Sequence, residues 1–111
     1  MTREELINHC LGYGDVYEDY PFEDANWAAI RHRGNKKTFA FIYIREGHLQ
    51  INLKCEPMRA QFLRQMLGQV TPAYHMNKMH WNTVTPDVDL DMEQLGDMIL
   101  HSYTLTKPRK K

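Results

Sequence analysis

The sequence predicts an α+β fold, in which an antiparallel sheet is covered by helices on one face. Two observations lead to this class. Three consecutive segments with strand character are joined by the short turns 34–36 and 45–47, an arrangement typical of antiparallel hairpins. Helical patterns lie before and after these segments instead of alternating with them. The predicted order is α-β-β-β-α-β-α, in a single domain of residues 1–106 followed by a basic tail, residues 107–111.

The first helix is indicated by its start and by its apolar residues. Thr2 and Glu5 have the spacing of a capping box, in which each side chain satisfies a backbone N–H at the helix start. One helical stripe follows and ends at Gly12; its members are Leu6, Ile7, Cys10 and Leu11. We therefore expect a short amphipathic helix.

Three strands are predicted next, over residues 27–33, 38–44 and 49–55. The segment 38–44 is rich in aromatic and branched residues and apolar on both sides, which is typical of a central strand. In 49–55, apolar and polar residues alternate, which indicates a sheet with one wet face. The segment before the first strand, which includes Pro21, is interpreted as a loop.

Two further helices and one further strand complete the prediction. Pro57 suits the first position of a helix that continues to Gly68, and 81–84 can form a short strand. The expected inward-facing stripe of this helix is Met58, Phe62, Leu63, Met66 and Leu67. Asp91 can cap the last helix, whose expected core residues are Met92, Leu95, Ile99 and Tyr103.

The aromatic residues of the central strand allow two interpretations. Phe39, Phe41 and Tyr43 alternate with small and aliphatic residues, and the sequence does not determine which row faces the helices. The simpler expectation is that the aromatic rings belong to the core. If they instead lie on the open face beside Asn52 and Lys54, the composition is that of surfaces that bind single-stranded nucleic acid.

Composition excludes several classes of protein. With 111 residues, 42% of them hydrophobic and 25% charged, the chain suits one folded domain. No apolar run approaches the roughly 18 residues that a membrane helix needs, and the N-terminus lacks the pattern of a secretory signal. We therefore expect a cytoplasmic protein without membrane association, in which Cys10 and Cys55 are free thiols.

The formal net charge is zero, but the charges are unevenly distributed. Residues 1–30 hold seven acidic side chains and one basic one, whereas residues 31–80 hold nine basic and two acidic ones. The middle of the chain is therefore cationic, which is compatible with a surface for a polyanion. Folding can equally interleave these charges into an ordinary mixed surface.

Residues 72–84 are the most distinctive segment. They contain His, Lys, Asn, Tyr and Trp without helical or strand periodicity, as binding loops often do. The run Tyr74-His75-Met76-Asn77-Lys78-x-His80-Trp81, together with 19–22, 51–57 and 101–103, resembles the MmcQ/YjbR family of small bacterial proteins over about residues 17–105. The resemblance implies a CyaY-like fold and the "double wing" mode of DNA binding proposed for that family.

DNA is accordingly the predicted partner, bound by cationic side chains of two β-hairpins and by the distinctive segment. Such side chains contact phosphates, whereas amides can reach bases. The predicted nucleic-acid-binding residues are Arg31, Arg33, Lys36, Lys37, Arg45, Lys54, Asn77 and Lys78. Alternatively, the charged turns merely protect sheet edges, and the Tyr74–Trp81 segment makes the chain a protein-interaction or small-ligand module. The oligomeric state stays open.

We expect no metal site, cofactor or enzymatic activity. His75 and His80, five positions apart, share no helical face and have no neighbouring Cys. The segment 87–91 resembles the start of a calcium loop, but Met92 and Met98 stand where such a loop needs Gly and Glu. The sequence also lacks a Gly-rich phosphate loop and a nucleophile elbow, so no catalytic residue is assigned.

Overall fold

In the computed structural model, which describes residues 1–86 and 89–109, three helices cover one face of a six-stranded antiparallel sheet. The helices are α1 (Arg3–Leu11), α2 (Pro57–Met66) and α3 (Met92–Thr106). The strands are β1 (Val16–Asp19), β2 (Ala28–His32), β3 (Thr38–Arg45), β4 (His48–Lys54), β5 (Val70–Pro72) and β6 (Trp81–Val84). Their order across the sheet is β1-β2-β3-β4-β6-β5, which confirms the α+β class.

The sequence prediction misses β1 and β5, which are the two edge strands of the sheet. β1 has four residues and lies in the segment interpreted as a loop, and β5 has three residues and ends in Pro72. Such short strands contain too few residues for a period-two pattern, and proline is tolerated at a sheet edge. The observed order is therefore α-β-β-β-β-α-β-β-α.

α1 and α3 pack on the sheet largely as predicted. The capping box of Thr2 and Glu5 is present, and the side chain of Asp91 accepts a hydrogen bond from the backbone N–H of Glu93 at the start of α3. The buried residues of the two helices are Leu6, Ile7, Cys10, Leu95, Met98, Ile99, Ser102 and Thr106. Met92 is 54% exposed, so its predicted place in the core is wrong.

The predicted inward face of α2 is wrong for three of its five residues, whereas Leu63 and Leu67 pack against the core as predicted. Met58, Phe62 and Met66 are 80%, 57% and 64% exposed, and the fully buried residue of the helix is Ala60. α2 approaches the core through Ala60, Leu63 and Leu67, and Arg64 on the same side reaches β6. Met58, Phe62 and Met66 therefore face solvent on the opposite side of the helix.

A β-bulge separates the aromatic residues of β3. The pairing of β2 with β3 shifts between Ile30 and Arg31, so that Phe39 and Ala40 both join the core under the helices. Phe39 contacts Tyr103 of α3, with ring centroids 5.3 Å apart. Phe41 and Tyr43 lie on the opposite, open face of the sheet. The aromatic row is therefore divided, with Phe39 in the core and the other two rings on the open face.

Ser102 bridges β3 and β4 next to this bulge. Its Oγ donates to the carbonyl of Phe39 at 2.6 Å and accepts from the backbone N–H of Lys54 at 2.9 Å. These groups lie one position beyond the last paired residues, Ala40 and Leu53. The hydroxyl of Ser102 thus fastens α3 to the sheet where the two strands separate.

Ser102→Ala should therefore lower the free energy of unfolding by about 2 kcal/mol, because two buried backbone groups lose their partner. Urea denaturation measures this change. Thr104→Ala, an exposed position on the same helix, is the matched control and should change stability by less than about 0.5 kcal/mol. Equal stability of the two variants would contradict the structural role of Ser102.

Candidate functional site

The open face of the sheet carries a continuous cluster of aromatic rings, here called the aromatic patch. Its members are Phe22, Trp27, Phe41, Tyr43, Tyr74 and Trp81. Trp27 stacks flat on Tyr43, with centroids 3.8 Å apart and an interplanar angle of 11°. Phe41 lies 6.2 Å from Trp27 and 6.0 Å from Trp81. A ring cluster on a sheet face without covering helices is a surface available for contacts.

A buried hydrogen-bond network supports the aromatic patch from below. The Tyr43 hydroxyl and the Thr83 Oγ1 both donate to Oδ1 of Asn52, at 2.7 and 2.6 Å. Nδ2 of Asn52 donates to the carbonyl of Tyr74 at 3.0 Å, and the N–H of Tyr74 donates to Thr83 at 2.9 Å. Burial raises the pKa of the Tyr43 hydroxyl, which keeps it a neutral donor. The network fixes both the patch and the start of the distinctive segment.

Arg64 of α2 fastens the later part of the distinctive segment, residues 72–84. Its Nε donates to Oδ1 of Asn82 at 2.6 Å, and its Nη2 donates to the carbonyls of Trp81, at 3.3 Å, and of Lys78. Asn77 stabilises the turn within the segment, because its Oδ1 accepts from the N–H of Met79 at 2.9 Å. The backbone of residues 73–80 is therefore fastened to β4, β6 and α2.

Two adjoining depressions lie on the open face. The first, the aromatic groove, has a volume of about 440 Å³ and is lined by Phe22, Asp24, Trp27, Phe41, His75 and Met76. The second, the cationic cleft, has a volume of about 410 Å³ and includes Arg45, Gln50, Thr71, His75, Lys78 and Thr83 in its lining. Because His75 lines both, the two form one continuous surface.

Arg45 is positioned within the cationic cleft by the aromatic patch. Its guanidinium carbon lies 4.0 Å from the ring centroid of Tyr74, a cation–π contact. Among the described residues, its ion pair is with the neighbouring Glu46, at 4.0 Å. A guanidinium stacked on a ring keeps its N–H groups available at the edge, in the planar arrangement that suits phosphate.

The comparison with known proteins identifies the family. The YjbR family model matches residues 11–105. The chain belongs to the YjbR family. It is 33% identical to the uncharacterized protein YyaQ of Bacillus subtilis (strain 168), over 96% of this chain and 99% of the relative. It is 30% identical to the uncharacterized protein YjbR of Escherichia coli (strain K12), over 93% of this chain and 85% of the relative.

Solved structures share the fold of this YjbR-family chain. A crystal structure of a Pseudomonas syringae protein superposes with a TM-score of 0.84 and 31% identity, over 96% of this chain and 99% of that one. A Deinococcus radiodurans protein with a DUF419 domain superposes with a TM-score of 0.82 and 33% identity, over 94% and 77%. The resemblance inferred from the sequence motifs is therefore confirmed.

Some of the predicted DNA-binding residues of this YjbR-family chain are paired with acids. Arg31 forms a salt bridge with Asp19 at 2.9 Å, and Arg33 lies 3.4 Å from Asp15. These pairs lie where β1 meets β2, and they offset the positive charge on that side of the sheet. Arg31 also donates to the carbonyl of Lys36 at 3.0 Å, which gives it a structural contact within the first hairpin.

The other predicted residues form two separate groups. Arg45 and Lys78 meet in the cationic cleft. Lys36 and Lys37 are exposed in the first hairpin turn, at the opposite end of β3. Lys54 pairs in register with Trp81 on the side of β4 that carries Asn52, towards the same end as that turn. The two hairpins therefore project from opposite ends of β3, about 23 Å apart at strand rise.

Two residues of the site are not identified by the sequence. Trp27 lines the aromatic groove beside Phe41, and Arg64 positions the segment that carries Lys78. The strand periodicity puts Phe41 and Tyr43 on one face, but no local signal shows that Trp27 stacks on them. Arg64 stands off the apolar stripe of its helix, a position from which sequence alone predicts a solvent-exposed side chain.

Other predicted features can be located in the part of the chain that the structure describes. There, no three His, Cys, Asp or Glu side chains converge as a metal site, and none of the helices is long and apolar enough to cross a membrane. Cys10 and Cys55 are buried free thiols, and burial raises the pKa of Cys10 to about 12. Part of the calcium-like segment, residues 87–88, and the tail residues 110–111 lie outside the described residues.

Proposed function

We propose that this protein binds DNA through the open face of its sheet, with Arg45 and Lys78 as the principal phosphate contacts. The observation that carries the proposal is the convergence of these two cationic side chains, distant in the sequence, on one cleft of about 410 Å³ beside the aromatic patch. The double-wing DNA binding proposed for the family agrees with this choice of ligand.

Arg45 and Lys78 are the Arg and Lys side chains in the lining of the cleft, and several of its neutral groups have hydrogen-bond partners within the protein. Thr83 Oγ1 donates to Asn52, Thr71 Oγ1 donates to the carbonyl of Thr83 at 3.4 Å, and Nε2 of Gln50 donates to Thr85 at 3.1 Å. Phosphate binding in the cleft therefore depends on Arg45 and Lys78, and such contacts position DNA without specifying its sequence.

The opposite end of β3 supplies a second group of cations. In duplex DNA each strand places a phosphate about every 3.4 Å of helix axis, so the length of β3 corresponds to roughly seven phosphates of one strand. A strand that follows β3 would leave the cationic cleft and reach Lys54, Lys36 and Lys37. In this proposal the two hairpins lie at the two ends of the DNA-binding surface along β3. Arg31 and Arg33 contribute less to DNA binding because Asp19 and Asp15 pair with them.

Binding should weaken as salt concentration rises, because phosphate contacts release counterions. With three or four contacts we expect a slope of roughly −3 to −4 in a plot of log K against log salt, at about −0.9 per phosphate. The double variant Arg45→Gln/Lys78→Gln should bring this slope about 1.8 units closer to zero. Fluorescence anisotropy with a labelled duplex oligonucleotide at several salt concentrations measures both slopes.

The control is Arg59→Gln, which removes one exposed charge from α2, on the helix-covered side. Its slope should equal that of the unchanged protein. Absence of binding at low salt, or an unchanged slope in the double variant, would contradict the proposal and favour a protein-interaction or small-ligand module built on the Tyr74–Trp81 segment. The absence of catalytic activity stays a prediction.

A further inference from the structure

The aromatic groove presents three rings in mutual contact. The centroids of Phe22, Trp27 and Phe41 lie 6.0 to 6.2 Å from one another, with Trp27 at 87° to Phe22 and 65° to Phe41, and with Phe22 and Phe41 at 28° to each other. Rings this close leave no room for a group between them, so they form one uneven wall instead of a cage around a cation. A ligand can pack on this wall but cannot insert into it.

Part of this wall is anchored from below, although the wall is accessible. Phe22 is 53% exposed, whereas Trp27 is fixed by its stacking on the fully buried ring of Tyr43. Tyr43 is in turn held by its hydrogen bond to Asn52. An exposed apolar surface that is already ordered loses little entropy when a ligand packs on it.

The charges around the groove determine how a ligand would lie. Asp24 lines the aromatic groove, whereas Arg45 and Lys78 line the adjoining cationic cleft. Asp24 repels an anionic group from the aromatic groove, whereas Arg45 and Lys78 attract it to the cationic cleft. A ligand that fits both therefore has a flat ring with a phosphate beside it. This is the chemistry of a nucleotide.

We infer that the open face selects single-stranded nucleic acid, with one unpaired base on the wall of Phe22, Trp27 and Phe41 and a neighbouring phosphate at Arg45 and Lys78. The inference rests on the proposed DNA binding and adds the class of ligand. Bases in a duplex are stacked on each other, and their faces cannot reach an aromatic wall, whereas the bases of a single strand can.

The test compares three labelled ligands by anisotropy at one salt concentration: a 12-nucleotide strand of mixed sequence, its duplex, and a 12-residue strand that lacks bases. The single strand should bind roughly tenfold or more tightly than the duplex. The strand without bases should bind about 5- to 150-fold more weakly than the complete strand, the range expected for one stacked base.

Two sets of variants locate the contact. Phe22→Ala should weaken binding of the complete strand but not of the strand without bases; Phe62→Ala, which removes a 57% exposed ring from α2, should change neither. The chain has two tryptophans, so Trp81→Phe leaves Trp27 as the sole indole. Its emission should be quenched as the single strand binds.

The outcomes separate the two proposals. Equal affinity for single strand and duplex, equal affinity for strands with and without bases, or unquenched Trp27 would overturn the inference and leave the proposed DNA binding in place. No binding of any of the three ligands would overturn both. The fluorescence measurement does not depend on the stability of the Phe22 variant.

Discussion

Asn52→Ala should destabilise the protein by about 3–5 kcal/mol, because it removes the centre of the buried network beneath the aromatic patch. The side chain of Asn52 is fully buried, accepts from Tyr43 and Thr83, and donates to the carbonyl of Tyr74. Alanine leaves these buried groups without that partner. Urea denaturation measures the loss, and amide hydrogen exchange at Tyr74 should become faster because the start of the segment 73–80 is released.

Two variants separate the network from a general effect of mutation in the sheet. Tyr43→Phe removes one donor and leaves Thr83 bonded to Asn52, so it should cost about 1 kcal/mol. Gln50→Ala changes a half-buried amide on the same strand and should cost less than Asn52→Ala. If all three variants lose similar stability, the network does not hold the open face as described.

The elements predicted correctly are those whose information is local. The capping box of α1 and the tight turns around β3 depend on residues within a few positions of one another, and each is observed. β1 and β5 depend on pairing with strands that are already in place, and three or four residues carry no pattern of their own. The edge strands β1 and β5 therefore form because of tertiary pairing and not because of their local sequence.

The orientation of α2 shows a second limit of sequence patterns. Periodicity correctly groups Met58, Phe62 and Met66 on one side of the helix, but it does not determine whether that side faces the sheet. The side that faces the sheet carries Leu63 and Leu67, which pack against the core, and Arg64, which bonds to β6 and to the segment before it. These partners lie 14 to 18 positions away, beyond the range of helical periodicity.

The candidate site was predictable as a set of residue types but not as a surface. The sequence predicts both Arg45 and Lys78 as phosphate-binding cations, yet their meeting depends on how residues 73–80 fold over the open face. Phe41 and Tyr43 reach that face by strand alternation with Ala40 and Ile42, whereas the bulge places Phe39 on the other side. The chemistry was therefore visible in the sequence, while the arrangement required the structure.

Arg64→Lys should lower stability by about 2–4 kcal/mol while the charge is kept, because it removes a fork of hydrogen bonds from a charged group. The guanidinium contacts Asn82 and the carbonyls of Lys78 and Trp81 together, and a lysine amine cannot reproduce that geometry. Urea denaturation measures the loss. Arg59→Lys, at an exposed position of the same helix, is the control and should change stability by less than about 0.5 kcal/mol.

The same variant tests whether the anchoring of the segment serves DNA binding. Arg64 does not line the cationic cleft, but loss of its bond to the carbonyl of Lys78 frees that residue to move. If Lys78 leaves the cleft, the salt slope measured with duplex DNA should come closer to zero by about 0.9, the contribution of one phosphate contact. An unchanged slope in a destabilised Arg64→Lys protein would show that Arg64 supports the fold without positioning Lys78, because the total charge is the same in both proteins.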